Sequence, residues 1–304
     1  MKWITIAALA GTAVLCAGAA GAQGVDFSKV EIKTTDLGNK TYMLEGQGGN
    51  MTVAVGTDGI IMVDTEFAPL HDKIKAAIEK ISPLPVKYVI NTHYHGDHTG
   101  GNAAFHKEGA TIVAQDNIRV RLAAGTTNGL TGNKTPPAPA DAIPTDTYLV
   151  GGMKVDVGGR TAQVGHVIDA HTDGDSWIYF PDANVLATGD TFTRNYPNID
   201  WANGGGIDGM ILATEKYLKV ANDNTKIVPG HGPLATKVNL QEFHDMLVTA
   251  RDRVKKLFDE GKSEQEVLAA NPLADLDKKW ASAQGLGTGA TFTRNVYNSF
   301  RNHD

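Results

Sequence analysis

The chain has 304 residues, of which 41% are hydrophobic and 20% are charged, a composition ordinary for a globular protein with a sizeable core. Its formal net charge is −6 at pH 7, and its lysines and arginines are scattered along the sequence. Because nucleic-acid binding needs a concentrated basic surface, this composition argues against nucleic acid as a partner.

The first 22 residues are typical of a secretory signal peptide. Lys2 supplies a positive charge, residues 3–18 are apolar or small, and residues 20–22 read Ala-Gly-Ala, a small-x-small cleavage site before Gln23. The apolar stretch is short for a membrane span, and no stop-transfer sequence follows it. We therefore expect a periplasmic or secreted protein without stable membrane insertion after cleavage, with an uncleaved N-terminal anchor as the alternative.

Cysteine usage agrees with export. Cys16 is the only cysteine and lies inside the predicted signal, so the mature chain has neither a disulfide nor a thiolate metal ligand. Any metal must then be held by imidazole and carboxylate groups. We expect residues 23–304 to form a single domain that ends in a helical segment from about residue 237.

Strand-like and helical segments alternate through the first half of the mature chain. Residues 42–44, 51–55 and 59–63 predict paired strands, with a Thr-Asp-Gly turn at 57–59 between the last two. Pro69 opens a helix with apolar residues at helical spacing, Pro83 ends it, and residues 86–90 form the next strand. Residues 125–144 are rich in Gly, Thr and Pro and predict a long loop, either functional or disordered.

The second half resembles the first in its alternation. Residues 148–180 predict strands with glycine-rich turns, residues 184–188 and 226–228 further strands, and residues 208–221 a helix. From Val238 the chain is predicted to be helical, with one apolar face formed by Leu240, Phe243, Leu247, Ala250, Val254 and Leu257. Similar strand-and-helix segments thus occur twice along the chain, and we call the boundary between the two halves, near residues 125–147, the seam. This pattern indicates a mixed-sheet α/β fold.

The strongest chemical signal follows the strand at 86–90, where the sequence reads Asn-Thr-His-Tyr-His-Gly-Asp-His. His93 and His95, two apart in an extended segment, can face the same way and chelate one ion. Asp97 and His98 lie beyond Gly96, which allows a sharp turn toward a second ion. Since unpaired buried polar groups are costly, and imidazole and carboxylate are ligands of zinc, this cluster predicts a metal site.

Three further candidate ligands each come just after a predicted strand, where α/β proteins collect their binding groups. His171 lies in a tight turn, Asp190 follows Thr188-Gly189, and His231 follows Pro229-Gly230. Each residue alone is as compatible with an ordinary turn as with a ligand. Together with the histidine cluster they complete a set of seven.

This series resembles the motif series of the metallo-β-lactamase superfamily, in order and from about Lys40 to Gly232. The resemblance implies a four-layer αββα sandwich with a dinuclear zinc site at one edge. It implies that His93, His95 and His171 hold one Zn²⁺, that Asp97, His98 and His231 hold the other, and that Asp190 bridges both. The other histidines match no motif and are expected to be structural or exposed: His71, His106, His166, His244 and His303.

The resemblance also implies hydrolysis of a small-molecule substrate. Zinc lowers the pKa of bound water from ~15.7 to about 7, and the resulting hydroxide would attack a carbonyl. Asp97 would orient this nucleophile or carry its proton. A β-lactam amide is one expected substrate, with activity that is weak or secondary, because true β-lactamases of this class usually place Cys or Ser where this chain has Asp190.

A lactone, ester or thioester is the alternative substrate, because a bridging aspartate is more typical of such hydrolases. The predicted signal peptide argues against a thioesterase that acts on a glutathione-linked substrate, because such substrates are largely intracellular. A further exported branch of the superfamily shares the bridging aspartate and the glycine stretch at 204–206 and is a competing assignment. A di-iron redox protein and a metal-binding module without turnover are less favoured, since the sequence after Gly232 is only helical and carries no flavin domain.

Three segments are expected to shape the substrate site. Residues 47–51 resemble a mobile hairpin beside the metals, residues 125–144 would act as a lid, and residues 195–206 follow Asp190 directly. The predicted pocket residues are Tyr94, Tyr196, Trp201 and Asn203, with simple packing as the alternative for Trp201. The sequence does not indicate an oligomeric state.

Overall fold

The structure is a computed structural model that describes residues 25–282 and 287–301. Within them, two β-sheets lie face to face and helices cover both outer faces. This arrangement confirms the predicted αββα sandwich. The predicted signal peptide, with Cys16, lies outside the described residues.

The strands follow the order of the chain in each sheet. They are β1 (Lys33–Gly38), β2 (Thr41–Glu45), β3 (Met51–Val55), β4 (Ile60–Val63), β5 (Val86–Ile90), β6 (Thr111–Gln115), β7 (Thr126–Thr127), β8 (Lys134–Thr135), β9 (Asp146–Tyr148), β10 (Met153–Val157), β11 (Arg160–His166), β12 (Ser176–Phe180), β13 (Val185–Ala187) and β14 (Lys226–Val228). The first sheet has the order β1-β2-β3-β4-β5-β6-β9, the second β10-β11-β12-β13-β14, and β7 pairs with β8 alone. The first sheet is antiparallel from β1 to β4 and parallel from β4 to β9, and in the second only β13 and β14 are parallel.

The helices fill the outer layers. They are α1 (His71–Ile81), α2 (Gly96–Thr99), α3 (Asn102–Lys107), α4 (Asp116–Ala124), α5 (Ile207–Val220), α6 (Lys237–Asp259), α7 (Glu264–Ala270), α8 (Asp277–Trp280) and α9 (Gly289–Arg301). No helix among the described residues is both long enough and apolar enough to cross a bilayer.

Side chains that point to alternate faces of each strand form the core between the two sheets. Val63, Ile90 and Val113 of the first sheet pack against a layer that includes Ile178 and Phe180 of the second. The opposite faces of the same strands are also apolar, because each sheet is covered by helices on its other side. Three apolar layers therefore hold four layers of secondary structure together.

The helices of the outer layers pack on the two sheets through their apolar faces. Ile74 and Ile78 of α1 and Phe105 of α3 pack on the first sheet. On the second sheet, Tyr217 of α5 and Phe243 of α6 join the largest buried cluster, to which α9 also contributes. The apolar face predicted from Val238 onward is thus confirmed, since five of its six residues are buried and Leu257 is partly buried against them.

The local sequence signals place most boundaries within about one residue. The helix predicted to open at Pro69 begins as a single 3-10 turn, Ala68–Leu70, and continues as α1 to Ile81. The helix predicted at 208–221 is α5, Ile207–Val220. Thr236 caps α6 through a reciprocal pair of hydrogen bonds with Asn239, which is why this helix begins at residue 237.

Two expectations about the middle of the chain need correction. Residues 125–144 are not a plain loop, because they contain the β7–β8 hairpin and a 3-10 turn, Ala140–Ala142. The seam also lies later than predicted. Residues 146–148 form β9, which pairs parallel with β6 and still belongs to the first sheet, so the chain changes sheet between Tyr148 and Met153.

Phe243 provides a test of the helical layer. Its ring is fully buried and packs edge-on against Phe192 at a centroid distance of 5.0 Å. Phe243→Ala should lower the free energy of unfolding by about 3–5 kcal/mol, through lost burial and the cavity left behind. Denaturant unfolding followed by circular dichroism measures this. Val238→Ala, on the same helix but 68% exposed, is the control and should change little.

Candidate metal centre

The seven candidate ligands come from five segments that end at one edge of the sandwich. His93 and His95 follow β5 directly, and Asp97 and His98 lie in α2, the short helical turn after them. His171 lies in the β11–β12 connection, Asp190 in the turn after β13, and His231 after β14. The structure therefore brings together every residue of the predicted set.

The ligand atoms form three groups, each with all its atoms within 4.8 Å of one another. Two of them share no residue: one contains His93, His95 and His171, and another contains Asp97, His98 and His231. The third joins these two and contains His93, His98 and Asp190. His95 Nδ1 lies 2.9 Å from His171 Nε2, and His98 Nε2 lies 3.3 Å from His231 Nε2. Neighbouring ligands of a tetrahedral zinc ion are roughly 3.3 Å apart, given zinc–ligand distances near 2.0–2.1 Å.

Asp190 lies between the two groups. Its Oδ1 is 3.2 Å from His98 Nε2 and 3.4 Å from His231 Nε2, and its Oδ2 is 3.6 Å from His171 Nε2. One carboxylate oxygen thus faces each group. This is the geometry that a bridging carboxylate requires.

Hydrogen bonds on the outer side of the rings fix which nitrogen faces inward. His98 Nδ1 is 2.8 Å from Asp64 Oδ2, and His171 Nδ1 is 2.8 Å from the carbonyl oxygen of Asn198. His95 is turned the other way, with its Nε2 3.0 Å from Asp200 Oδ2. Each outer nitrogen donates its proton to an oxygen, which leaves a lone pair on the inner nitrogen for a metal ion.

An unpaired atom supports the same conclusion. His93 is 1% exposed, and its Nε2 is buried without a hydrogen-bond partner. Such an atom is costly unless an ion or another group satisfies it. The donor set, five imidazoles and two carboxylates without thiolate, fits zinc, and the residues present therefore fit a dinuclear site.

Electrostatics prepare several of these groups for metal binding. Burial, with the positive charge of neighbouring histidines, lowers the pKa of His93 well below its usual value, and burial lowers that of His171 to about 4. Burial would raise the pKa of Asp190, but His231 and His98 hold it well below its usual value. Neutral imidazoles and an ionised carboxylate are the forms that bind metal.

In the second group, nearby carboxylates raise the pKa values of two imidazoles. Burial would lower the pKa of His231, but Asp190 and Asp97 raise it to about 10. Burial would also lower the pKa of His98, but Asp190, Asp64 and Asp97 raise it well above its usual value. A metal ion that binds between these imidazoles and carboxylates replaces the imidazole protons.

Comparison with known proteins agrees with this geometry. Residues 44–231, more than half of the chain, match the family model described as the metallo-beta-lactamase superfamily. The chain belongs to this superfamily. The match includes all seven candidate ligands and ends at His231.

Individual curated proteins show partial similarity to the chain. A hydroxyacylglutathione hydrolase from Hyphomonas neptunium is 31% identical over 50% of this chain and 47% of its own length. The alpha subunit of a 2,4-dinitroanisole O-demethylase from Nocardioides sp. is 30% identical over 49% of this chain and 43% of its own length. The chain therefore spans about half the length of these curated relatives.

Solved structures show the shared fold. A metallo-beta-lactamase from Pontibacter korlensis superposes with a TM-score of 0.58 at 18% identity, covering 72% of this chain and 99% of that one. A sec-alkylsulfatase from Pseudomonas sp. superposes with a TM-score of 0.63 at 18% identity, covering 88% of this chain and 50% of that one. At these identities the superpositions describe architecture only.

The β2–β3 connection lies against the candidate ligands, where residues 47–51 were expected. The Gly49 N–H donates to the Asp97 carbonyl, and Asn50 Nδ2 donates to the carbonyl oxygens of Pro229 and Gly232, both at 2.8 Å. A Cβ on Gly49 would lie 2.1 Å from the His98 ring, so only glycine allows this approach. Glu66 accepts the Gly48 N–H at 2.8 Å, and its burial raises its pKa.

A groove of about 690 Å³ opens beside His95 and Asp200. Tyr94 and Asn203 line it, as predicted for pocket residues, and residues from the 125–144 segment form one wall. Both side chains are engaged by Asp200, which accepts the Tyr94 hydroxyl and, at 2.9 Å, Asn203 Nδ2. Movement of the 125–144 segment as a lid stays a prediction.

The other two predicted pocket residues lie elsewhere. Tyr196 is 3% exposed and stacks on Phe292 in the helical core, with its hydroxyl 3.1 Å from Asp277 Oδ1. Trp201 is not part of the groove lining and lies against Gly129 of the β7–β8 hairpin. The assignment of Tyr196 needs correction, because its ring is part of the helical core. The contact of Trp201 with Gly129 agrees with the packing alternative, and a substrate contact of Trp201 stays a prediction.

The remaining histidines that the structure describes lie outside the metal centre. His71 contacts Glu108 at 3.1 Å, and His244 contacts Asp245 at 3.1 Å. His106 and His166 each bond a backbone carbonyl, of Ala110 and Asp175. This agrees with the expected structural roles, and His303 lies outside the described residues.

Sequence reasoning missed the residues that orient the ligands. Asp64 is 1% exposed and accepts from Thr92 N–H, Thr92 Oγ1–H and His98 Nδ1. It follows β4 directly, so the rule that found Asp190 and His231 would also have found it. Asp200 carries no such signal, because it lies in an irregular segment ten residues after Asp190.

Asp64→Asn tests this orienting role. An amide in place of the carboxylate no longer favours the Nδ1-protonated form of His98, so zinc affinity should fall about 10- to 100-fold. Competition with a chromophoric zinc chelator measures the affinity. Asp58→Asn, at the exposed β3–β4 turn where Asp58 pairs with Lys87, is the matched control. Equal affinity in the two variants would contradict the role.

Proposed function

We propose that the protein is a dinuclear zinc hydrolase that cleaves a carboxylic ester, lactone or thioester. The single observation that supports this most is the position of Asp190, with one oxygen toward each of two groups of ligands. The similarity to hydroxyacylglutathione hydrolases supports the same reaction class. β-Lactam hydrolysis is the competing prediction, which Asp190 disfavours because the β-lactamases of this class usually have Cys or Ser there.

The chain's own residues supply the proton transfers. Two zinc ions in this site would provide a hydroxide at neutral pH and polarise the substrate carbonyl. Burial would raise the pKa of Asp97, but the positive charge of His98 and His231 holds it far below its usual value, and bound zinc would take over that role and keep this carboxylate ionised. Asp97 would accept a proton from the attacking water and return it to the leaving alkoxide or thiolate. The products are then a carboxylic acid and an alcohol or thiol, or a hydroxy acid from a lactone.

His95→Ala and Asp190→Ala test the proposal. Each removes a ligand, so zinc content and turnover of p-nitrophenyl acetate should both fall, turnover by at least about a hundredfold. His244→Ala, which removes a histidine far from the centre, is the control. Metal content is measured by plasma mass spectrometry, and removal of zinc with a chelator should abolish turnover until zinc is restored.

The same preparation separates the competing functions. A panel of p-nitrophenyl esters, a thioester, a lactone and nitrocefin should show faster turnover of the first three. Preference for nitrocefin would favour the β-lactamase. Iron instead of about two zinc ions per chain would favour the redox alternative, and metal without turnover on the whole panel would favour a binding module.

We also propose that the protein is exported. The support is the N-terminal sequence alone, a lysine followed by an apolar stretch and an Ala-Gly-Ala site. Expression in a Gram-negative host should give a periplasmic product whose N-terminus, measured by mass spectrometry, is Gln23. An intact Met1 in the cytosolic fraction would contradict export.

A further inference from the structure

The groove beside the metal centre is apolar over most of its length. It begins at His95 and Asp200 and runs between α3 and the segment at 136–139, which contributes three prolines and an alanine. Phe67 and Leu122 line its sides. An apolar groove that opens onto polar groups at one end is the usual form of a small-molecule site.

The charged groups at this groove are already paired. Arg121 Nη2 lies 2.7 Å from Asp173 Oδ2, and its Nη1 is 3.3 Å from Asn203 Oδ1. Asp200 is surrounded by three donors, from Tyr94, His95 and Asn203. Among the described lining residues, no cation is left to bind the carboxylates of a glutathione-type group. The groove therefore favours an uncharged, apolar occupant.

The N-terminal segment supplies one wall. Phe27 lines the groove and packs edge-on against Phe67 at a centroid distance of 5.5 Å. Lys73 of α1 holds this segment, because its Nζ donates to the carbonyl oxygens of Phe27, Ser28 and Val30 at 3.0, 2.7 and 2.6 Å. One ammonium group thus fixes the backbone that carries the aromatic wall.

We infer that the groove binds an apolar acyl chain of the substrate, with the scissile carbonyl at the His95 end and Phe27 as a wall held by Lys73. The inference rests on the proposed function and adds the substrate class, esters or thioesters of medium-chain acids. The same cavity contacts a candidate metal ligand, His95, and the apolar residues, so an acyl chain in the groove would reach the metal centre. Its volume of about 690 Å³ is sufficient for such a chain.

The length of the acyl chain tests this directly. Across p-nitrophenyl acetate, butyrate, hexanoate and octanoate, kcat/KM of the zinc-loaded protein should rise about fourfold for each methylene that enters the groove, the factor expected for burying one methylene. A flat or falling series, with measurable turnover of the acetate, would overturn the inference while the proposed function stands.

Two matched pairs of variants locate the effect. Ala103 lines the groove, whereas Ala104, its neighbour on α3, does not. Ala103→Phe should lower the octanoate-to-acetate ratio of kcat/KM at least tenfold, and Ala104→Phe should leave it unchanged. Lys73→Met should lower the ratio several-fold. Lys75→Met should leave the ratio unchanged, because Lys75 lies on the same helix as Lys73 but pairs with Glu108.

A binding measurement separates the groove from catalysis. The neutral fluorophore N-phenyl-1-naphthylamine should bind the zinc-loaded protein and be displaced by 1-octanol more readily than by 1-butanol, and Ala103→Phe should abolish binding. Binding of this kind without turnover of any ester would support the apolar site and contradict the proposed function. Fluorophore binding that Ala103→Phe and Lys73→Met leave unchanged would overturn the groove assignment.

Discussion

Five imidazoles and two carboxylates converge at one edge of the sandwich, and three of the imidazoles are almost fully buried. Such a concentration of polar groups is costly away from water unless each has a partner. In three of the rings, the outer nitrogen donates a hydrogen bond to an oxygen of Asp64, of Asp200 or of the Asn198 carbonyl. The inner nitrogens and Asp190 then face one another at ligand-to-ligand distances, and a pair of cations is the chemical partner that suits them all.

The rest of the fold serves this convergence. The candidate ligands that follow β5, β13 and β14 meet at the same edge, although they are far apart in the sequence. The β2–β3 connection closes the centre from one side, and its glycines permit backbone contact with Asp97 and His98. The 125–144 segment and the N-terminal segment extend the same edge into an apolar groove. The candidate metal ligands and most of the groove walls thus come from different loops of one fold.

Sequence patterns predicted the candidate ligands and most helices and strands because their signals are local, whereas the four-layer arrangement came from the family resemblance. The His-x-His-x-Asp-His spacing, the prolines around α1 and the apolar face of α6 each act within a few residues. Tyr196 was assigned wrongly to the pocket, since an aromatic residue with one polar group fits a packed core as well as it fits a site near a ligand. The contacts of Asp200 with His95 and of Lys73 with the N-terminal segment join residues 43 or more positions apart, and no pattern in a single sequence marks such pairs. The seam was misplaced because β9, three residues long, carries too little periodicity to be recognised.

The central claim is that the seven side chains hold two zinc ions in one centre. Diffraction from crystals of the zinc-loaded protein, recorded just above and just below the zinc absorption edge, tests it most directly. The account predicts two anomalous peaks, one among His93, His95 and His171 and one among Asp97, His98 and His231, with the Asp190 carboxylate between them. No peak at these residues, or zinc bound only elsewhere on the surface, would contradict it.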